Sequence, residues 1–399
     1  MFTPSNLKQT LTQTFERFVQ SEKSSGIALL LCTVISLGIA NSSWSQAYLA
    51  TWHIQLLGLS LELWINDGLM AIFFLLIGLE LERELYSGEL SNFKNALLPI
   101  IAALGGTIAP AAIHYALNHG TASQAGIGIP MATDIAFALG ALALLGARIP
   151  VALKVFVVAF AVIDDLCAII IIALFYTKQI HIVYLLAAIS IWLVLVVLNR
   201  RLRVMHLIPY LVGGAAMWVC MLLSGVHATI AGVMLAFAIP FSAKDEDQTS
   251  PSHRLEHALH RPVAFLILPI FALANTAIVI GSDWMAQLSS SNSLGIVLGL
   301  VAGKTLGIVS FCLIAVRCRL CRLPAQVQWK HLIGAAMLGG IGFTMSIFIT
   351  NLAFEGQAEL INASKMAILL ASLCAGLLGI LWLSFASSRS ENTLIEKSS

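Results

Sequence analysis

Long apolar runs recur along the whole sequence, and they limit the folds open to it more than any other feature. Residues 156 to 174, FVVAFAVIDDLCAIIIIAL, form one such run. A bilayer core takes roughly 20 apolar residues per helix, and runs of that order fall near 25–41, 63–81, 95–117, 122–144, 150–176, 181–199, 205–220, 222–240, 258–280, 293–315, 331–352 and 363–385. The fold class expected is an all-α polytopic membrane protein with about twelve transmembrane helices. Charged residues make up 11% of the chain, against roughly a quarter in soluble domains, which agrees. The pair at 205–240 is the weakest of the twelve, because each member is short and little more than Ser224 and Gly225 separates them.

With twelve spans the loops alternate between two sides, so the basic residues test the count. All 22 Lys and Arg fall on one side except Lys178 and Lys365 on the other and Lys304 inside a span. That is the positive-inside pattern, and both termini are expected to be cytoplasmic. Residues 1–24 carry Glu16 and Glu22, a poor lead for a cleaved signal, so they read as a cytoplasmic segment before an uncleaved first helix. Residues 25–385 then form one transmembrane domain and 386–399 a cytoplasmic tail. A net charge of +2, with its basic residues in short loops, argues against nucleic acid as a partner. The seven cysteines lie mostly in apolar runs, and Cys318 with Cys321 make a lone CxxC, so free thiols are expected rather than a zinc site.

One external loop has its own pattern. In TWHIQLLGLSLEL, apolar and polar residues alternate on either side of Gly58, which suggests a short periplasmic β-hairpin within about 45–63. Its edge could pair with a second copy of the chain, giving a homodimer, or it could lie on lipid headgroups.

Four ionisable residues stand near helix centres: Asp134, Asp164, Asp165 and Lys304. Each such carboxylate costs about 2.5 to 3.5 kcal/mol on insertion scales, so these residues should face a cavity or a partner. A salt bridge made only for assembly explains one acid, and it leaves two without a counter-charge. Neighbours on a helix point about 100° apart, so Asp164 and Asp165 cannot share one stripe. One can meet Lys304 while the other faces a water-filled path.

Asp134 sits in GIGIPMATDIAFALG, where Gly126, Gly128 and Pro130 oppose a continuous helix and Thr133 offers a hydroxyl. A second interruption appears in MLGGIGFTMSIF, through Gly339, Gly340, Gly342 and Thr344. Close packing through small residues is the bland reading of both. Against it, the two are the middle members of spans 3–5 and 10–12, as an inverted repeat with two discontinuous helices crossing in mid-membrane would place them. A carboxylate near a half-helix N-terminus would offset the dipole there.

These residues resemble a known family. The stretches ATDIAFALG, VIDDLCAI, GLVAGKTLGI, LEHALH and GGIGFTMSIF are similar to the bacterial NhaA-type sodium/proton antiporters, over about residues 20–385. That family is itself a known example of inverted-repeat architecture, so the repeat reading is consistent with the resemblance rather than independent of it. The resemblance implies that Asp165 is the main Na+ or Li+ ligand with Asp164 beside it, and that Lys304 pairs with Asp164 in the ion-free state. It implies that Asp134 and Lys304 balance the ends of the broken helices, with Thr133 a secondary ligand. It also implies electrogenic export of one Na+ for more than one H+, active at alkaline pH, serving sodium tolerance and intracellular pH homeostasis. No cofactor is implied, and the partners are Na+, Li+, H+ and lipid. Protons and sodium compete for the same oxygens, and alternating access moves whichever is bound. No GxxxxGK[ST] signature occurs, so the energy must come from a gradient.

SPSHRLEHALHRP gathers His253, Glu256, His257 and His260 at the cytoplasmic start of the ninth span. Histidine changes charge near neutrality, although a solvated helix start is the plain reading. The resemblance adds Glu80, Arg83 and Glu84 to this cluster as a pH sensor, and singles out His227. His253 replaces a lysine of the best-known member, which puts the pH set point in doubt. An intramembrane aspartyl protease needs its two acids on facing helices, whereas these are adjacent on one. An organic-anion symporter could use Lys304, but three acids favour a cation; a channel would need a filter motif that is absent.

Overall fold

The computed structural model describes residues 24–177, 179–242 and 250–395. The N-terminal segment through residue 23, and Lys178, Lys244 and Lys397 of the charge pattern, lie outside these. The described chain is almost wholly helical, because in lipid every backbone N–H and C=O must be bonded within its own segment. Among the described residues, eight helices are long and apolar enough to cross a membrane, or up to eleven if each bent pair counts as one span, with shorter helices between them. In order these elements are α1 Ser24–Ala40, α2 Ser45–Trp52, α3 Leu61–Tyr86, α4 Phe93–Asn118, the 3-10 half-helix Ala122–Met131, α5 Ile135–Leu144, α6 Val151–Phe175, α7 Ile182–Arg200 and α8 Leu207–Ser224. The second half holds α9 Ile230–Ala236, α10 Pro251–Asn275, α11 Trp284–Leu288, α12 Ser291–Arg317, α13 Trp329–Gly339, α14 Phe343–Ala353 and α15 Ala358–Ile395.

The expected eighth span, 222–240, contains only the seven-residue α9 flanked by turns. Glycine lets it press directly on α3: a Cβ on Gly232 would lie 2.1 Å from the Ala71 carbonyl oxygen, and one on Gly78 would lie 2.7 Å from the Ala236 methyl. Lys365, counted with the external side, is buried early in α15, a helix that begins at Ala358 rather than at 363.

The hairpin is present but shorter than its alternation suggests. Gln55–Leu56 pairs antiparallel with Leu59–Ser60 through a turn in which Leu57 and Gly58 both have positive φ. Thr51 and Trp52 belong to α2 instead, and the Ser60 side chain accepts from Leu63 N to start α3, so neither arm can extend.

Two bent pairs form the centre. Ala122–Met131 and α5 meet at 42°, and α13 and α14 at 43°. The first break is not at Gly126, Gly128 or Pro130, which all lie inside the 3-10 half-helix, but at extended Ala132 to Asp134. Those glycines serve close approach, with Phe354 and His114 against Gly126 and Tyr176 against Gly128. The second break falls where expected, at Gly340 to Gly342.

The helices around these breaks interlock tightly. A Cβ on Gly105 of α4 would lie 2.3 Å from the Gly307 carbonyl oxygen of α12, and one on Gly307 would lie 2.1 Å from that of Gly105. Backbone meets backbone there, as small residues permit between membrane helices. Phe348 of α14 packs its ring against Phe74 of α3 and Phe271 of α10, closing the core on the other flank.

Candidate cation site

The helix α6 carries Asp164 and Asp165 into the space where the two broken pairs meet, and both are 1% exposed. Their side chains diverge, as adjacent helical positions must. Asp164 Oδ2 accepts from Lys304 Nζ at 2.8 Å. The Thr107 hydroxyl, donating to the Ala103 carbonyl, stands 3.5 Å from Asp164 Oδ1. Neither oxygen of Asp165 has a hydrogen-bond partner among the described residues.

Lys304 begins the second α-helical part of α12, directly after a π-helical turn, Gly299–Gly303. It also donates to the carbonyl of Met131, the last residue of the 3-10 half-helix. A helix C-terminus leaves carbonyls without intrahelical donors and carries partial negative charge, and the ammonium answers both.

Asp134 does the converse at two helix starts. Its Oδ1 accepts from Phe137 N at 3.1 Å, capping α5. Its Oδ2 accepts from Thr344 N at 3.1 Å and from the Thr344 hydroxyl, so it also caps α14 from 210 positions away. Asp134 N donates to the Ile341 carbonyl at 2.6 Å, and the Thr133 hydroxyl to that of Gly339 at 2.8 Å. With about half a positive charge at each helix start, Asp134 is balanced by two ends. Lys304 balances Asp164. Asp165 is left with no hydrogen bond and no ion pair among the described residues.

A cleft of about 430 Å³, open mouth included, runs past Glu80 and His260 to Ile135 and Ala136 at the start of α5. At its rim Arg83 Nε lies 3.2 Å from Glu256 Oε1, and Arg83 reaches Glu84 at 3.4 Å. His253 bonds Ser250 Oγ at 2.7 Å and stacks on Phe241, while His257 is exposed. His227 is not part of this group; its Nε2 lies 2.8 Å from the Tyr176 carbonyl oxygen.

A family model described as Na+/H+ antiporter 1 matches residues 16–383. The Na(+)/H(+) antiporter NhaA of Dechloromonas aromatica is 66% identical over 375 residues, covering 94% of this chain and 96% of the relative. The chain belongs to the NhaA-type Na+/H+ antiporter family. The NhaA of Cytophaga hutchinsonii is 59% identical, covering 94% of this chain and 95% of its own, and NhaA 1 of Flavobacterium johnsoniae is 58% identical over 96% and 100%.

Within this NhaA-type site, Lys304 pairs with Asp164 while Asp134 caps two helix starts, and further groups that the sequence left unremarked lie beside them. Thr107 stands beside Asp164, the Met131 carbonyl accepts from Lys304, and the Ser346 hydroxyl donates to the Ile129 carbonyl at 2.7 Å. Glu82 is a further buried carboxylate, accepting from Ser252 Oγ at 3.3 Å and tying α3 to α10 beside the Arg83 pair. Thr107 had a signal, a hydroxyl following Gly105 and Gly106 in mid-span; a backbone carbonyl has none.

Proposed function

We propose that this chain is a secondary active antiporter of the bacterial inner membrane that moves Na+ or Li+ outward in exchange for more than one H+. The observation that carries it is Asp165, a buried carboxylate with no hydrogen-bond partner among the described residues, beside Asp164 and Asp134, which both have partners. A buried unpaired charge is too costly to keep, so Asp165 holds either a proton or a cation. The two cargoes exclude each other on the same oxygens.

Sodium takes oxygen ligands, and the oxygens nearest in chemistry are those of Asp165 and Asp164, with the Thr133 hydroxyl oxygen free to contribute because its hydrogen is given to Gly339. A cation that recruits Asp164 weakens the Asp164–Lys304 pair, which is then the ion-free arrangement. Asp134 and Lys304 keep the half-helix ends neutral through the cycle. The cleft lined by Glu80 and His260 is the cytoplasmic approach, and the Arg83, Glu84, Glu256, His253, His257 and His260 group, with His227 apart from it, sets the pH response.

The wider architecture in this reading has twelve spans, the eighth supplied by the short α9 and its flanking turns, in two inverted repeats with both termini cytoplasmic. The hairpin joins two copies. Export of one sodium for more than one proton makes the exchange electrogenic and driven by the proton gradient, serving sodium tolerance and intracellular pH.

The test is fluorescence dequenching of a pH dye in everted vesicles on addition of Na+, Li+ or K+, for the wild type and Asp165→Asn together. Sodium and lithium should dequench in the wild type, potassium should not, and Asp165→Asn should be silent. Undiminished dequenching in Asp165→Asn would sink this assignment. A proteolytic dyad is disfavoured because Asp164 is engaged by a lysine rather than by the second acid.

A further inference from the structure

A 3-10 helix makes poorer hydrogen bonds than an α-helix, and runs beyond three or four residues are uncommon. The segment Ala122–Met131 runs for ten. It therefore needs support from outside its own backbone, and two of the supports are already part of the crossing: Ser346 on the Ile129 carbonyl and Lys304 on the Met131 carbonyl. The third comes from a residue that no role has yet been given.

Tyr176 caps the C-terminal end of α6, the helix that carries Asp164 and Asp165. Its buried phenol uses both faces of one hydroxyl on the half-helix: Oη accepts from Gly128 N at 3.2 Å and donates to the Ala125 carbonyl at 2.9 Å. The fit has no slack, since a Cβ at Gly128 would come within 2.6 Å of Oη. The backbone of Tyr176 is held in turn, because its carbonyl accepts from His227 Nε2 at 2.8 Å. Gly128 is three residues before Met131, so at about 2 Å per residue the clamp acts roughly 6 Å from the carbonyl that Lys304 binds.

We propose that Tyr176 is a positioning residue for cation binding: its hydroxyl fixes the height of the 3-10 half-helix, and with it the Met131 carbonyl and Thr133, while His227 fixes Tyr176. If the half-helix shifts, Lys304 divides its donors differently between Met131 and Asp164, and the Thr133 oxygen moves relative to Asp165. Affinity for the cation changes while the transport path stays intact. The inference rests on the reading of Asp165 as the cation ligand.

The experiment is sodium titration of proton release in everted vesicles for Y176F, G128A, H227A and H227Q, normalised to the amount of protein in the membrane. Y176F and G128A should raise the apparent KM for Na+ roughly three- to tenfold, the effect of one well-placed hydrogen bond, with the saturated rate within about twofold of wild type. At one fixed alkaline pH, H227Q, which keeps a donor for the Tyr176 carbonyl, should keep an apparent KM near that of the wild type, and H227A should follow Y176F. A merely structural role would lower protein amount and saturated rate and leave KM where it was. Y176F with an unchanged KM overturns the proposal; if Y176F does not accumulate, equal KM values for H227A and H227Q overturn it. Transport surviving in Asp165→Asn would instead defeat the underlying site reading, whatever Tyr176 does.

Discussion

Lys304 Nζ lies 2.8 Å from Asp164 Oδ2, and both side chains are wholly shielded from solvent. The same ammonium holds the Met131 carbonyl. One cation thus answers an acid on α6 and the end of the 3-10 half-helix.

Replacing Lys304 by Gln should leave Asp164 as a buried charge without its partner. Breaking one side of such a pair costs about 3 to 5 kcal/mol. Thermal unfolding in detergent should show a clearly lowered midpoint, and a midpoint equal to that of the wild type would contradict the pairing. Lys304→Arg should recover part of the loss, because the charge returns with a different shape.

Asp134→Ala removes the acceptor for three donors at two helix starts, Phe137 N, Thr344 N and the Thr344 hydroxyl. At about 1 kcal/mol for each lost cap, the destabilisation should be roughly 2 to 3 kcal/mol. Asp134→Asn keeps one accepting oxygen and should fall between the two. The order wild type, Asn, Ala in melting midpoint is the measurement, and Ala equal to wild type would exclude the shared cap.

Alanine at Gly105 or Gly307 puts a methyl within 2.3 or 2.1 Å of a backbone oxygen that cannot step aside. Either variant should fail to accumulate as a monodisperse protein in size-exclusion chromatography. Alanine at Gly38, which meets nothing within 4 Å, should be tolerated. Normal behaviour of Gly105→Ala would mean that α4 and α12 are not in backbone contact.

The pH response has a sign set by competition. If protons and sodium share the Asp165 oxygens, lowering the pH favours the proton, and the apparent KM for Na+ should rise by about tenfold per pH unit for each competing proton. Exchange should therefore increase between about pH 6.5 and 8.5, as histidines and the site lose protons. Glu256→Gln, which removes one of the two carboxylates paired with Arg83, should displace the midpoint of that profile without abolishing transport. A flat profile in the wild type would refute regulation.

Much of this was legible in the chain. Period and length located most spans, and the cost of charge in lipid pointed to Asp134, Asp164, Asp165 and Lys304 before any geometry was known. What could not be read was register between distant segments. Nothing in local pattern says that Asp134 caps a helix starting at Phe343, or that Lys304 selects the Met131 carbonyl rather than another. Gly128 looked like a helix breaker and proved to be a seat for Tyr176, because a glycine announces missing bulk and not which neighbour fills it. The eighth span failed the length rule for a related reason: α9 substitutes direct backbone contact with α3 for helical length.

The two broken pairs are sewn together by five hydrogen bonds, from Thr133 to Gly339, from Asp134 to Ile341, two from Thr344 to Asp134 and one from Ser346 to Ile129. A knot of this kind has no freedom to open along its own crossing. On the reading proposed above, alternating access then moves the helices packed around this knot rather than parting its two halves.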